Sequence, residues 1–321
     1  MFVISRFQVW SAVAASLLAG CSAGPISATA SAPVVSQSML GSTLPAAAAR
    51  SPQDLGAREE VGIAGAGKHP QPFARGGHVT RARPNTVACT TISPSADVLS
   101  GLEEPGSTAT AAYVISTPDG AYSKQNYDGS ECDIAVYVAA SASGSKISDS
   151  TIHDGIRAGL VVDGASNVSV VGNALYNVGD HNGAVYAPDG VQYGFALMLV
   201  NAGTGETVMN NSVFDYQKDG ILAFDNVSLA LTQNEVTGAG PVSYIASNGI
   251  EMDGVAFSTF ASNRVLLNQY TGPYYGAAGY LICGDTLAGT PITNKSQVKS
   301  GHNFGLYNNI EIYVSPNSDC S

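Results

Sequence analysis

Two carboxylates stand two residues apart in the segment Gly249-Ile250-Glu251-Met252-Asp253. Only 12% of the 321 residues are charged, so a pair of acids this close is a rare resource in the chain. An extended strand sends alternate side chains to opposite faces, which turns Ile250 and Met252 one way and Glu251 and Asp253 the other. Just upstream, Lys218, Asp219 and Asp225 are brought to the strand ends beside this pair. Two chemistries fit the group. Glycoside hydrolysis needs one carboxylic acid that keeps its proton and one ionised carboxylate, and crowding of acids raises the pKa of one member. Elimination from a uronate needs a cation to neutralise the acid group and a Lys or Arg as base, a role open to Lys218. Catalytic candidates are therefore Glu251, Asp253, Asp225 and Lys218.

Tyrosines crowd the same part of the sequence: Tyr186, Tyr193, Tyr216, Tyr244, Tyr270, Tyr274 and Tyr275. Sugar rings pack their apolar faces on aromatic rings while phenol hydroxyls bond sugar hydroxyls, so a glycan groove is one reading and sealing of long loops the other. Tyr193, Tyr216, Tyr244 and Tyr275, with His181 as a further candidate, form the expected binding set. Asp180-His181-Asn182-Gly183 and Asp189-Gly190 could fold round calcium, but such sequences are equally tight turns. His153, His181 and His302 lie apart and show no metal-ligand spacing.

The elements that must hold these residues are written as repeats. GILAFDNVSLALTQNEV and GIEMDGVAFSTFASNRV align without gaps, placing Gly220 on Gly249, Asn234 on Asn263 and Val236 on Val265. GLVVDGASNVSVVGNAL fits the same frame through Gly159, Asn173 and Leu175. Each unit reads as a Gly-led strand, a turn, a second strand, an Asn and a third strand. One unit cannot bury its own apolar residues, so the units must stack. Ser150, Asn173, Asn211, Asn234, Asn263 and Asn309 mark the frame, at intervals of 23, 38, 23, 29 and 46 residues. Propeller blades need about 40 residues each, and sandwiches keep no such offset.

Three short strands per coil with Gly and Asn at the corners resembles the right-handed parallel β-helix of the pectate-lyase-like superfamily, over roughly 130–315. The resemblance implies an all-β fold of about six to eight coils with an Asn ladder at one corner. It also implies a substrate groove over the Gly-led strands, under the loops inserted at 177–193, 238–248 and 270–279. Lyases of this family hold calcium on acids, which here would be Asp225, Glu251 and Asp253. The chain departs from the family's enzymes: their paired-Asp, Gly-His-Gly and Arg-x-Lys motifs are missing, and Arg157 and Arg264 are the only arginines after Arg83. Ala196, Met198, Leu222 and Leu281, expected to face outward on neighbouring coils, are apolar, as a covered structural face would be. Two functions are thus in play: binding and processing of a polysaccharide as a lyase or glycoside hydrolase, or a non-catalytic β-helix that binds glycan or a partner or serves a structural role.

The N-terminus is an address. One early cation, Arg6, precedes an apolar run to Leu18, the pattern of a secretory signal. Leu18-Ala19-Gly20-Cys21 resembles a bacterial lipobox, which implies cleavage after residue 20, lipid on Cys21 and a membrane as partner, the outer membrane in a Gram-negative host. Residues 21–86, rich in Ala, Ser, Pro and Gly, read as a disordered tether, and 87–321 as the β-helix with a cap at each end. The remaining cysteines, Cys89, Cys132, Cys283 and Cys320, suggest two disulfides in an exported protein, with Cys89–Cys132 and Cys283–Cys320 favoured by order along the stack. A net charge of −11 and a pI near 4.7 argue against nucleic acid as a partner.

Overall fold

A computed structural model describes residues 88–317 apart from 105, 131, 183–184, 226 and 273–275. The signal segment, Cys21, the tether, Tyr274, Tyr275 and Cys320 lie outside the described residues.

The repeated unit closes on itself as one coil. Asn248–Asp253 runs in sheet A, Ala256–Ala261 in sheet B and Arg264–Tyr270 in sheet C. Neighbouring units stack in parallel register: Ile221 beside Ile250 in sheet A, Leu231 beside Phe260 in sheet B, Val236 beside Val265 in sheet C. Sheet C has seven strands, one for each complete coil between Ala109 and Leu306, and Ile310–Ser315 adds a last strand to sheet A. The result is a parallel β-helix. Leu160, Leu197, Ile221, Ile250 and Tyr280 fill its interior and are fully buried; each such side chain contributes about 1.5–3 kcal/mol.

The glycine of the frame has a steric cause. A Cβ on Gly249 would come 2.1 Å from Val265 Cγ1 and 2.8 Å from the Gly279 carbonyl oxygen. No larger residue fits between the corner and the next coil.

The amide ladder runs along the corner between sheets B and C. Asn173, Asn211, Asn234 and Asn263 each donate a backbone N–H to the next side-chain carbonyl, at 2.9–3.1 Å, and their side-chain amides bridge to backbone carbonyls one coil back. The last rung is Asn303, which accepts from Asn263 at 3.0 Å. Asn309 is not in this ladder: its Oδ1 accepts from Tyr270 and Ala277 at the opposite end of the sheet-C strand. Its neighbour Asn308 belongs to a second, shorter ladder, accepting from the Asn268 N–H at 2.9 Å.

Residues 90–92 cover the edge of sheet A at the N-terminal end of the stack, and 95–102 go on to lie over the sheet's outer face. Thr90–Ile92 pairs antiparallel with the first sheet-A strand. Helix α1 (Ala96–Gly101) follows, started by the Ser95 side chain, which accepts the Val98 N–H. Val98, Leu99 and Leu102 then pack on Tyr137, Val161, Met198 and Leu222. These outward residues are apolar because the helix covers them. Ala196, expected outward, joins the interior with Leu197, and Leu281 is half-buried outside the helix-covered cluster. At the other end, helix α2 (Lys295–Ser300) buries Val298 against the core.

Cys89 and Cys132 are joined, tying the start of this strap to the second coil. Cys283 is also in a disulfide.

Candidate functional site

Where α1 ends, an open cavity of about 390 Å³ remains on the outer face of sheet A. One wall is the helix segment, with Asp97 and Glu103; the floor and far wall carry Lys218, Asp219, Asp225, Glu251 and Asp253. All four residues singled out for catalysis thus share one cavity. Sequence periodicity placed Glu251 and Asp253 on the outward face of Asn248–Asp253, and the structure agrees, with Ile250 and Met252 fully buried inside.

Asp219 is the chemical centre of the group. It is 1% exposed, and its carboxyl is hydrogen-bonded to that of Glu251. Burial first, and then the Glu251 carboxylate, push its pKa well above the carboxylate range, so Asp219 keeps its proton beside Glu251. Asn248 orients both members: its Nδ2 donates to Glu251 Oε2 at 2.8 Å and its N–H to Asp219 Oδ1 at 3.3 Å. Beside them is Lys218, where burial works against the charge but the Asp219 and Glu251 carboxylates outweigh it and raise its pKa. A lysine held charged in this way is a poor base.

Asp225 is exposed in a left-handed backbone conformation (φ 58°), and burial together with Asp97 raises its pKa. Asp225, Glu251 and Asp253 line the cavity, yet their oxygens are not drawn together: among the described residues the group whose donor atoms lie within 4.8 Å of one another is Asp128, His153 and Asp154. With the Lys218 ammonium already facing Glu251, the cavity fits calcium poorly.

Two of the tyrosines expected to line an aromatic groove, Tyr193 and Tyr216, are buried instead. Tyr216 is 1% exposed, with its hydroxyl given to Asn268. Tyr193 is buried, donates to Asp180 Oδ1 at 2.6 Å and lies under the Arg157 guanidinium at 4.5 Å. These two seal loops onto the coil, so neither offers a ring face to a sugar. Tyr244 is half-buried and, like His181, lies outside the cavity lining; His181 faces Asp154 at 3.5 Å. What the sequence reading missed is the helix wall. Asp97 and Glu103 flank an apolar Val98-Leu99-x-x-Leu102 spacing, the helical signal that could have found them.

Comparison with curated proteins and with solved structures found no match. A family model, described as the right handed beta helix region, matches residues 108–309, the span that forms the coils. The chain belongs to the right-handed β-helix family.

Proposed function

We propose that this chain is an exported β-helix that binds a neutral polysaccharide in the cavity beside α1 and hydrolyses it. One observation carries the reading: Asp219, which keeps its proton, meets Glu251 and Asp253 in a single open cavity. Asp219 and Glu251 are in contact, too close to act as opposed acid and base. Glu251 and Asp253 are better spaced, since two residues of strand rise separate their Cα atoms by about 6.6 Å, which leaves their carboxyl groups free to take the separations of about 6.5–9.5 Å used by inverting glycosidases. In this scheme Asp219 gives its proton, by way of Glu251, to the glycosidic oxygen as the C–O bond breaks. Asp253 takes a proton from the water that attacks the opposite face. The acids on the helix wall disfavour a polyanion, and a charged Lys218 disfavours elimination.

Reducing-end release across neutral and uronate-containing glycans tests this. Turnover of a neutral glycan with inversion at the anomeric carbon is expected, and Glu251→Gln should lower it about 100-fold or more. An inactive wild type, a fully active Glu251→Gln, or unsaturated products would each overturn the hydrolase reading. Coverage of the sheet-A face from Tyr137 to Leu222 by the α1 segment favours a second reading, a non-catalytic binder, and binding without turnover in the same panel would establish it. Anchoring through lipid on Cys21 completes the proposal. Labelled palmitate should enter the wild type and be lost in Cys21→Ser; an unlabelled wild type removes the anchor.

A further inference from the structure

The first three coils end their sheet-C strands in a cluster that the cavity does not use. Asp128 closes the strand Asn126–Asp128, and His153 is its register partner on the next coil. Asp154 follows His153, and the three residues, each half-buried, have donor atoms within 4.8 Å of one another. His181 approaches from the third coil, on a short hairpin in which His181–Asn182 pairs with Val185–Tyr186. The Asp154 carboxylate lies between the two imidazoles, with Oδ2 2.8 Å from His153 Nδ1 and Oδ1 3.5 Å from His181 Nε2.

His181 points to a ligand independently of the cluster. Its side chain is 8% exposed and both ring nitrogens are buried without a hydrogen bond, Nε2 having only the 3.5 Å approach to Asp154 Oδ1. A sealed imidazole with neither nitrogen hydrogen-bonded is unusual in a folded chain, and an ion seated between it and the Asp154 carboxylate is one of the few things that satisfies it. Local spacing hides the site, because the two histidines are 28 residues apart and only the coil pitch brings them together.

We propose that Asp128, His153, Asp154 and His181 form a site for a divalent transition metal of the zinc class. Two imidazoles and two carboxylates suit zinc, whereas calcium takes oxygen donors. Two carboxylates also balance the ion's charge. The ion would fasten the inserted hairpin to the first two coils, a structural role separate from the hydrolysis proposed above.

The test uses the full chain stripped with a chelator. Zinc competition against a chromophoric chelator should show one saturable site per chain, and zinc should raise the thermal midpoint. His181→Gln should weaken binding roughly tenfold or more and abolish the thermal shift, Asp128→Asn should weaken binding, and His302→Gln should leave both intact. Equal urea midpoints of wild type and His181→Gln in chelator show that the variant is folded; if they differ, Asp128→Asn alone decides. The proposal is overturned by a wild type without saturable zinc binding, by wild-type affinity in both site variants, or by tighter binding of calcium than of zinc.

Discussion

Glu206 and Asp285 occupy similar posts on different coils, each accepting backbone N–H groups at a corner between sheets A and B. Glu206 Oε2 takes the Val168 N–H at 2.9 Å, and burial pushes its pKa up to about 7. Asp285 takes the N–H groups of Val255 and Cys283 at 2.5 and 3.0 Å, and burial pushes it up to about 8. Both are 1% exposed, so the folded state binds protons that the unfolded chain releases near pH 4. The stability they contribute is therefore full below about pH 4 and is lost as pH rises through 7 and 8. The urea midpoint should fall between pH 5 and pH 8.5, and the double variant Glu206→Gln, Asp285→Asn should flatten that fall. A flat wild-type profile would remove the argument. At this scale the sequence told part of the story. Period-two alternation put Glu251 and Asp253 on the right face, but nothing local marks Glu206 in Gly205-Glu206-Thr207 as buried, because the coil that buries it comes from elsewhere in the chain.

Helix α1 has six residues, too short to persist alone in water. It is held at both ends. The Ser95 N–H donates to Asp163 Oδ2 at 2.7 Å, and that oxygen also receives the Tyr137 hydroxyl at 2.8 Å. Beyond its C-terminus, Arg157 donates to the Leu102 carbonyl and pairs with Glu104 at 2.7 Å. Leu102 itself is fully buried on the sheet. Leu102→Ala should lower stability by about 2–5 kcal/mol in urea unfolding; a loss below about 0.5 kcal/mol, the level of an ordinary surface change, would mean the strap is not part of the cooperative unit. The strap was hard to read because one helical turn leaves only three apolar positions. Asp163, on the same sheet-A row as Asp253 through Val200 and Phe224, is in fact the strap's pin.

The coil stack was the most legible part of the molecule, since its two markers have separate physical causes. Glycine is imposed by the close approach of the next coil, and asparagine by the amides left over at the corner. The ungapped Gly220–Gly249 alignment is one coil, and Ile221 and Ile250 are neighbours in register. The frame failed where the last coil breaks it. Asn303 is followed by Phe304-Gly305-Leu306, a strand too short to show a period, while Leu306-Tyr307-Asn308-Asn309 imitates the marker with residues of the second corner. The cavity was legible on its strand side only.

Cys89 is bonded to Cys132, which stands next to the second sheet-A strand, Ile134–Val138. Any tension arriving through the residues before Cys89 therefore enters the stack through a covalent bond. The stretch between the two cysteines, 43 positions apart, which includes the edge strand, α1 and most of the first coil, is bypassed by the load. A β-helix hung from its N-terminus would in this way keep its weakest pieces slack, and the wall of the cavity would feel none of the pull.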